Sequence, residues 1–196
     1  MTEEIFNTDA YIKKCDSRVI SITDDGLELN KTVFFPGGGG QPNDFGILKL
    51  KDNHKIPVEK VKRIHGNIFH SHNSSKINID DELTCEINWD RRYKLMRTHT
   101  ALHILCGVVW RDYGAVVTGG NMDILKGRMD FEFESLSSEM SEEIEEKVNL
   151  EIEKDLNIKV GFIPREEALN IPGLIRTKVN LLPETIKIFR TIDIEG

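Results

Sequence analysis

The chain has 196 residues, of which 39% are hydrophobic and 30% charged, with a formal net charge of −7. That length buries a real core in one domain or two modest ones, and the composition is neither that of a disordered chain nor of a membrane protein. No run approaches the ~18 apolar residues of a membrane helix, and the acidic total argues against sequence-blind binding to nucleic acid. The polar, acidic start is not that of a secretory signal or transit peptide. Cys15, Cys85 and Cys106 are too few and too scattered for a disulfide framework, which points to a reducing cytoplasm.

In chain order, residues 19–29 form a β-like run broken by Asp24-Asp25-Gly26, a short-range hairpin signal. A second run, Lys31-Thr32-Val33-Phe34-Phe35, leads into Pro36, the four glycines Gly37 to Gly40, and then Gln41, Pro42, Asn43 and Asp44. Four glycines cost too much backbone entropy for regular structure. They are either a flexible loop or a loop whose backbone must approach a ligand closely, with Gln41 supplying an amide. Strand-like runs at 46–50, 55–61, 66–70 and 83–87 then suggest a small β-barrel or sandwich over roughly residues 1–88.

At Trp89 the hydrophobic period changes. Met96, His99, His103, Cys106 and Trp110 recur every three or four residues, which predicts a helix with Asp90 as N-cap and Gly114 at its end. His99 and His103 are four residues apart and share one helix face. Two imidazoles so placed can each approach a metal ion to about 2 Å; partly buried or solvated histidines give the same spacing. On this reading both lie on the core-facing stripe, where an unpaired polar ring is costly. Position 100 is Thr where a zinc protease of the H-E-x-x-H type has its glutamate, which argues against a peptidase. Residues 90–128 carry seven Lys and Arg against three Asp and Glu, and are the basic stretch of the chain. They read either as a nucleic-acid surface or as a solvated helix face.

Gly119-Gly120 predicts a turn, and residues 126–134 a strand with Met129, Phe131 and Phe133 on its buried side. Residues 139–156 predict an acidic helix with Ser138 as cap and Met140, Ile144, Val148 and Ile152 on one face. Its glutamates read as a solvated surface rather than a metal cluster. A strand at 159–163, a helical turn after Pro164 and a last strand at 185–194 complete a two-layer α+β unit.

These stretches, in this order, resemble one family, the AlaX-type alanyl-tRNA editing proteins, free-standing relatives of the editing domain of alanyl-tRNA synthetase. Residues 32–46 are similar to its glycine-rich motif and residues 89–103 to its first zinc half-site. Val117-Thr118-Gly119-Gly120-Asn121, Arg128-Met129-Asp130-Phe131, residues 162–168 and residues 189–196 match further blocks, so the resemblance covers nearly the whole chain. It implies an α+β fold: an N-terminal small β-barrel over 1–88 carrying the glycine-rich motif, then, over 89–196, the two-layer α+β editing domain shared by alanyl- and threonyl-tRNA synthetases.

The resemblance further implies hydrolysis, in trans, of the ester joining serine or glycine to the terminal ribose of tRNA for alanine. The implied cofactor is one Zn2+ per chain. The implied partner is that tRNA, through its acceptor stem and mischarged 3′ end, with no membrane and with the protein a monomer or weak dimer in the cytoplasm. His99 and His103 are the implied zinc ligands and, with Thr32, the catalytic residues. Thr32 is the candidate partner of the serine hydroxyl, because a site built around a hydroxyl rejects an analogue lacking it. Gly38, Gly39, Gly40, Gln41, Thr118 and Gly119 are the implied substrate contacts, and Arg91, Arg92 and Lys94 the implied tRNA contacts. The family completes its zinc site with a Cys-x3-His pair, which none of the three cysteines here provides; Cys106, for example, is followed at that distance by Trp110. The expectation is a chain that stops short of that pair. The alternative is a catalytically degenerate tRNA-binding module without that half of the site.

Overall fold

The structure, a computed structural model, describes residues 2–73, 76–178, 184 and 186–195. A two-residue strand β1 (Glu3–Glu4) and a helical turn α1 (Ile5–Thr8) precede the ten-residue strand β2 (Lys14–Thr23). Asp24 and Asp25 turn β2 into β3 (Gly26–Leu29), with Thr23 opposite Gly26. Gly26 has φ +128°, and a Cβ there would stand 2.5 Å from the His70 carbonyl oxygen, so the hairpin requires glycine. The short strand β4 (Lys31–Thr32) pairs in parallel with β1. Then come β5 (Gly46–Leu50), β6 (Lys55–Val58), β7 (Val61–Ile64), β8 (Asn67–His70) and β9 (Glu82–Ile87). The run expected at 55–61 is therefore two strands.

Seven of these strands make one sheet in the order β6-β5-β9-β2-β3-β8-β7. β2 is the pivot. Its residues 14–18 pair with β9, and its residues 19–23 pair with β3 across a register shift between Val19 and Ser21. Such a bulge bends a strand and raises its twist. Both halves feed one core: Leu48, Ile56, Val58, Leu83 and Ile87 from one, Leu27, Leu29, Val61 and Ile68 from the other, with Phe34 among them. The expected small β-barrel is not confirmed, because β6 and β7 are the two edges and no ladder joins them among the described residues. Pro57, which has no N–H, sits in β6 as suits an edge strand.

The long helix α2 (Trp89–Tyr113) follows. Its cap is Asn88 rather than Asp90: the Asn88 Oδ1 accepts from the Arg91 N–H (3.1 Å) and the Asn88 carbonyl from the Arg92 N–H (3.0 Å). Asp90 instead lies in the first turn, where a carboxylate suits the helix dipole, and pairs with Lys94. Gly114, at φ +66°, ends the helix with its N–H on the Trp110 carbonyl.

The chain divides into two compact units, residues 1–97 with 122–126, and residues 98–121 with 127–196. The division falls inside α2, and Arg92 and Leu95 are buried in the first unit. The Arg92 guanidinium is 3% exposed and bonds the carboxylate of Asp44, whose side chain is 1% exposed. It also donates to the carbonyls of Val33 (2.7 Å) and Ala10 (2.9 Å).

The second unit holds the rest of α2 with β10 (Val117–Asp123), β11 (Lys126–Phe131), α3 (Ser138–Glu153), β12 (Ile158–Pro164), α4 (Arg165–Leu169) and β13 (Ile188–Ile194). Its ladders are two separate pairs, β10-β11 and β12-β13. Gly119 and Gly120 lie within β10 rather than in a turn. A Cβ on Gly120 would come to 2.8 Å from the Arg128 carbonyl oxygen of the neighbouring strand. Ser137, one residue before the expected cap, accepts the Met140 N–H on its hydroxyl (3.2 Å). Ile144, Met140 and Val148 pack with Val109 and Ala115, while Ile152 is exposed. The α3 glutamates Glu143 and Glu151 pair with Lys147, Lys154 and Arg111. Thr185, at the expected start of the last strand, lies outside the described residues. No helix is long and apolar enough to cross a membrane among the described residues.

Removing one partner of a buried ion pair leaves an uncompensated charge, at a cost of about 3–5 kcal/mol. Arg92→Leu is expected to lose about that much in urea unfolding followed by circular dichroism, and Arg92→Met combined with Asp44→Asn to recover part of it.

Candidate functional site

His99 and His103 stand one helical turn apart on α2, with ring centroids 4.7 Å apart and planes tilted by 21°. Their Nε2 atoms are 3.1 Å apart. Two nitrogens bound at about 2.0–2.1 Å to a tetrahedral zinc stand about 3.3–3.4 Å apart, so the pair fits two corners of such a site to within a few tenths of an ångström. Among the described residues, no group of three His, Cys, Asp or Glu side chains gathers for a metal. The described residues thus offer two nitrogen donors rather than a full set.

Both histidines are exposed, not set on the core-facing stripe. The inward stripe of α2 is Arg92, Leu95, Thr98, Leu102, Leu105 and Val109, displaced by one residue from the expected one. One residue is about 100° of rotation on a helix. The rings still lose enough hydration to the surrounding chain that their basicity falls. Desolvation first, then His103 and Arg190, push His99 down to about 4. Desolvation, Arg176 and Arg190 push His103 down as well. Both imidazoles are therefore neutral near pH 7, the state that binds metal. Two guanidinium groups act electrostatically on this pair. Arg176 is held by its Nε on the Gly173 carbonyl (2.9 Å), and Arg190 comes from β13. Neither arginine was legible as a site residue, since each lies more than seventy positions beyond the histidines with no local motif around it.

In the first unit the glycine segment is an ordered turn rather than a flexible loop. Gly38 and Gln41 exchange both backbone hydrogen bonds (3.0 Å each). Gly39 and Gly40 between them have φ +58° and +83°, positive at both central positions as in a type I′ turn. Nothing lies within 4 Å of where a Cβ would stand on Gly38 or Gly39, so conformation and not crowding demands glycine there. The Gly40 carbonyl accepts from the Met122 N–H (3.1 Å). At the base of the segment the Phe35 N–H donates to the Asp44 carboxylate (2.7 Å) and the Asp44 N–H to the Phe35 carbonyl (3.0 Å).

Thr32 is fully buried, and its hydroxyl is engaged within this unit. His70 Nδ1 lies 3.1 Å from the Leu27 carbonyl, which makes Nδ1 the donor and Nε2 the acceptor. The Thr32 hydroxyl donates to Nε2 (2.8 Å) and accepts from the Phe34 N–H (3.1 Å). His70, which the sequence did not single out, is wholly buried, and that burial pushes its pKa down to about 4.

The Arg92 guanidinium is committed to Asp44, Val33 and Ala10 inside the first unit. Arg91 lies half-buried with its guanidinium 4.0 Å from the Phe45 ring centroid and donates to the Asn43 carbonyl. Lys94 pairs with Asp90. Thr118 is exposed on β10, and Gly119 beside it leaves room for the Asp130 carboxylate, 3.0 Å from a Cβ built there.

A family model described as class II (A) tRNA synthetases matches residues 4–91. The chain is 38% identical to the alanyl-tRNA editing protein AlaX-M of Saccharolobus solfataricus, over all of this chain and 83% of that protein. It is 32% identical to AlaX-M of Methanosarcina barkeri, again over all of this chain and 83% of that protein. It is 31% identical to the alanine–tRNA ligase of Methanococcus aeolicus, over all of this chain and 21% of the ligase.

The depressed His70 pKa sets a pH window. With the folded value near 4 and the unfolded value at 6.5, the folded state favours the neutral ring. Its contribution, at most about 3 kcal/mol, is present above pH 6.5 and lost as pH falls toward 4. Unfolding free energies between pH 7 and 4 should fall more steeply for the natural chain than for His70→Gln. Thr32→Val removes the only hydrogen-bond donor to His70 Nε2 described above, and should lower stability by about 1–3 kcal/mol.

Proposed function

The chain belongs to the AlaX-M alanyl-tRNA editing proteins, and from that membership we propose that it is an aminoacyl-tRNA hydrolase that removes serine or glycine from tRNA for alanine in trans. The observation that carries this reading is the pair of neutral imidazoles on α2, with Nε2 atoms 3.1 Å apart and two arginines acting on them electrostatically. The reaction is acyl transfer to water: a water oxygen adds to the ester carbonyl, the tetrahedral intermediate collapses, and the terminal ribose hydroxyl leaves with a proton. His99 and His103 would hold a zinc ion, which when bound supplies a Lewis acid for the carbonyl, an activated water or an anchor for the substrate amine.

The chain's own residues have separate tasks. The two imidazoles stay neutral and fixed by their helix. Arg176 and Arg190 offer preorganised positive charge to a developing oxyanion or to the phosphate beside the terminal ribose. Thr118 and Gly119 contribute from β10 in the same unit as the histidines, and in the first unit the turn at Gly38, Gly39, Gly40 and Gln41 presents bare backbone. Arg91 and Lys94 meet tRNA phosphates. Thr32 discriminates serine either by meeting its hydroxyl directly or by holding the strand that leads into the glycine turn.

A second reading has its own support. Because no third metal ligand gathers at the histidines among the described residues, the chain is alternatively a tRNA-binding module without catalysis. Deacylation assays on seryl-, glycyl- and alanyl-tRNA for alanine separate the two. The hydrolase reading expects loss of serine and glycine, sparing of alanine, and inhibition by a chelator. It also expects rates lowered on the order of a hundredfold or more in His99→Ala and His103→Ala. Binding of tRNA with every ester intact would leave only the second reading. Thr32→Val, assayed beside its unfolding midpoint, is expected to lose seryl-tRNA hydrolysis; a matching loss on glycyl-tRNA would rule out direct hydroxyl recognition.

A further inference from the structure

Cys15 on β2 and Cys85 on β9 are far apart in the chain but are register partners across two antiparallel strands. The Ile87 N–H donates to the Lys13 carbonyl (3.0 Å), and the alternation of an antiparallel ladder makes the pair two positions along, Cys15 and Cys85, of the same hydrogen-bonded kind. Residues so paired have Cα atoms about 5.5 Å apart, a separation at the mode of disulfides. Directly opposed residues also send their side chains to the same face of the sheet. The acidity of each thiol here responds to the other.

The two sulfurs are unequal. Cys85 is wholly buried in the core of the first unit, and Cys15 is half-buried at its margin. A small reagent meets Cys15 first, with Cys85 behind it. The hydrogen bond from Cys85 lowers the Cys15 pKa most, helped by the Lys31 ammonium and the Val33 N–H, against the opposing pull of burial. The same hydrogen bond and burial push Cys85 well up. Low acidity cost and partial exposure mark the attacking thiol of a redox pair.

We propose that Cys15 and Cys85 form a reversible dithiol–disulfide site that reacts with hydroperoxides. The Cys15 thiolate attacks the peroxide O–O bond, one oxygen is transferred to sulfur as sulfenic acid, and the other departs as hydroxide or alkoxide and takes up a proton. Cys85 then attacks the Cys15 sulfur. The S–S bond forms, the sulfenic oxygen leaves with the Cys85 proton as water, and two electrons have passed from the thiols to the peroxide. Because the Val33 N–H acts on the Cys15 thiol, this chemistry occurs beside the segment that leads from Thr32 toward the glycine turn.

The test is intact-mass and peptide mapping of the reduced full chain before and after hydrogen peroxide. The expected product has lost two hydrogens, carries a cross-link between the peptides holding Cys15 and Cys85, and reverts with dithiothreitol. It forms equally in Cys106→Ser and not in Cys15→Ser, while Cys85→Ser traps a dimedone-reactive sulfenic acid at Cys15. Three thiols unchanged under peroxide, oxygen added without a cross-link, or a cross-link through Cys106 would each overturn the site. Mapping of the natural chain alone decides the matter should a core variant fail to fold.

Discussion

A buried carboxylate and guanidinium, Asp44 and Arg92, hold the first unit's glycine-rich segment in place. A desolvated charge is tolerable only when its partner and its remaining hydrogen-bonding capacity are supplied together. Here Asp44 is met by Arg92 and by the Phe35 backbone, and Arg92 spends its other donors on the carbonyls of Val33 and Ala10. Four stretches are thereby fastened at one point: the segment before β2, the strand entering the glycine turn, the residue leaving it, and the first turn of α2. The tip of the turn contributes little packing, since a side chain on Gly38 or Gly39 would meet nothing within 4 Å. The turn can be bare at its tip because it is closed at its base.

Much of the secondary structure was legible because its signals are local. The Asp24-Asp25 hairpin, the helix ending at Gly114 and the amphipathic stripe of α3 rest on turn chemistry and periodicity within a few residues. Caps were misplaced by one or two residues, at Asn88 and Ser137, because neighbouring polar residues compete for the same role and only geometry chooses between them. Sheet closure was not legible for a different reason. Sequence indicates that residues 55–61 are extended, but not that β6 and β7 take opposite edges of one sheet.

The candidate site shows the same division. The four-residue spacing of His99 and His103 carries their shared face directly, and the 3.1 Å between their nitrogens follows from it. Their exposure did not follow, because Arg92, an inward residue, was counted as outward and rotated the inferred stripe by one position. A charged residue is buried only through a partner, and Asp44 is forty-eight positions away. Arg176 and Arg190, and the meeting of Cys15 with Cys85, are products of strand register and chain return. No window of sequence contains both halves of any of these contacts.

The turn at Gly38–Gln41 has one more consequence. Its central residues need a left-handed backbone, yet the space around Gly39 is open. What the position refuses is therefore handedness rather than size. An L-alanine is the wrong hand for it, whereas a D-alanine places its methyl where the backbone already turns and restricts the unfolded chain as well. The glycine at this tip is the achiral residue that a ribosome can supply where a mirror-image amino acid would serve the fold better.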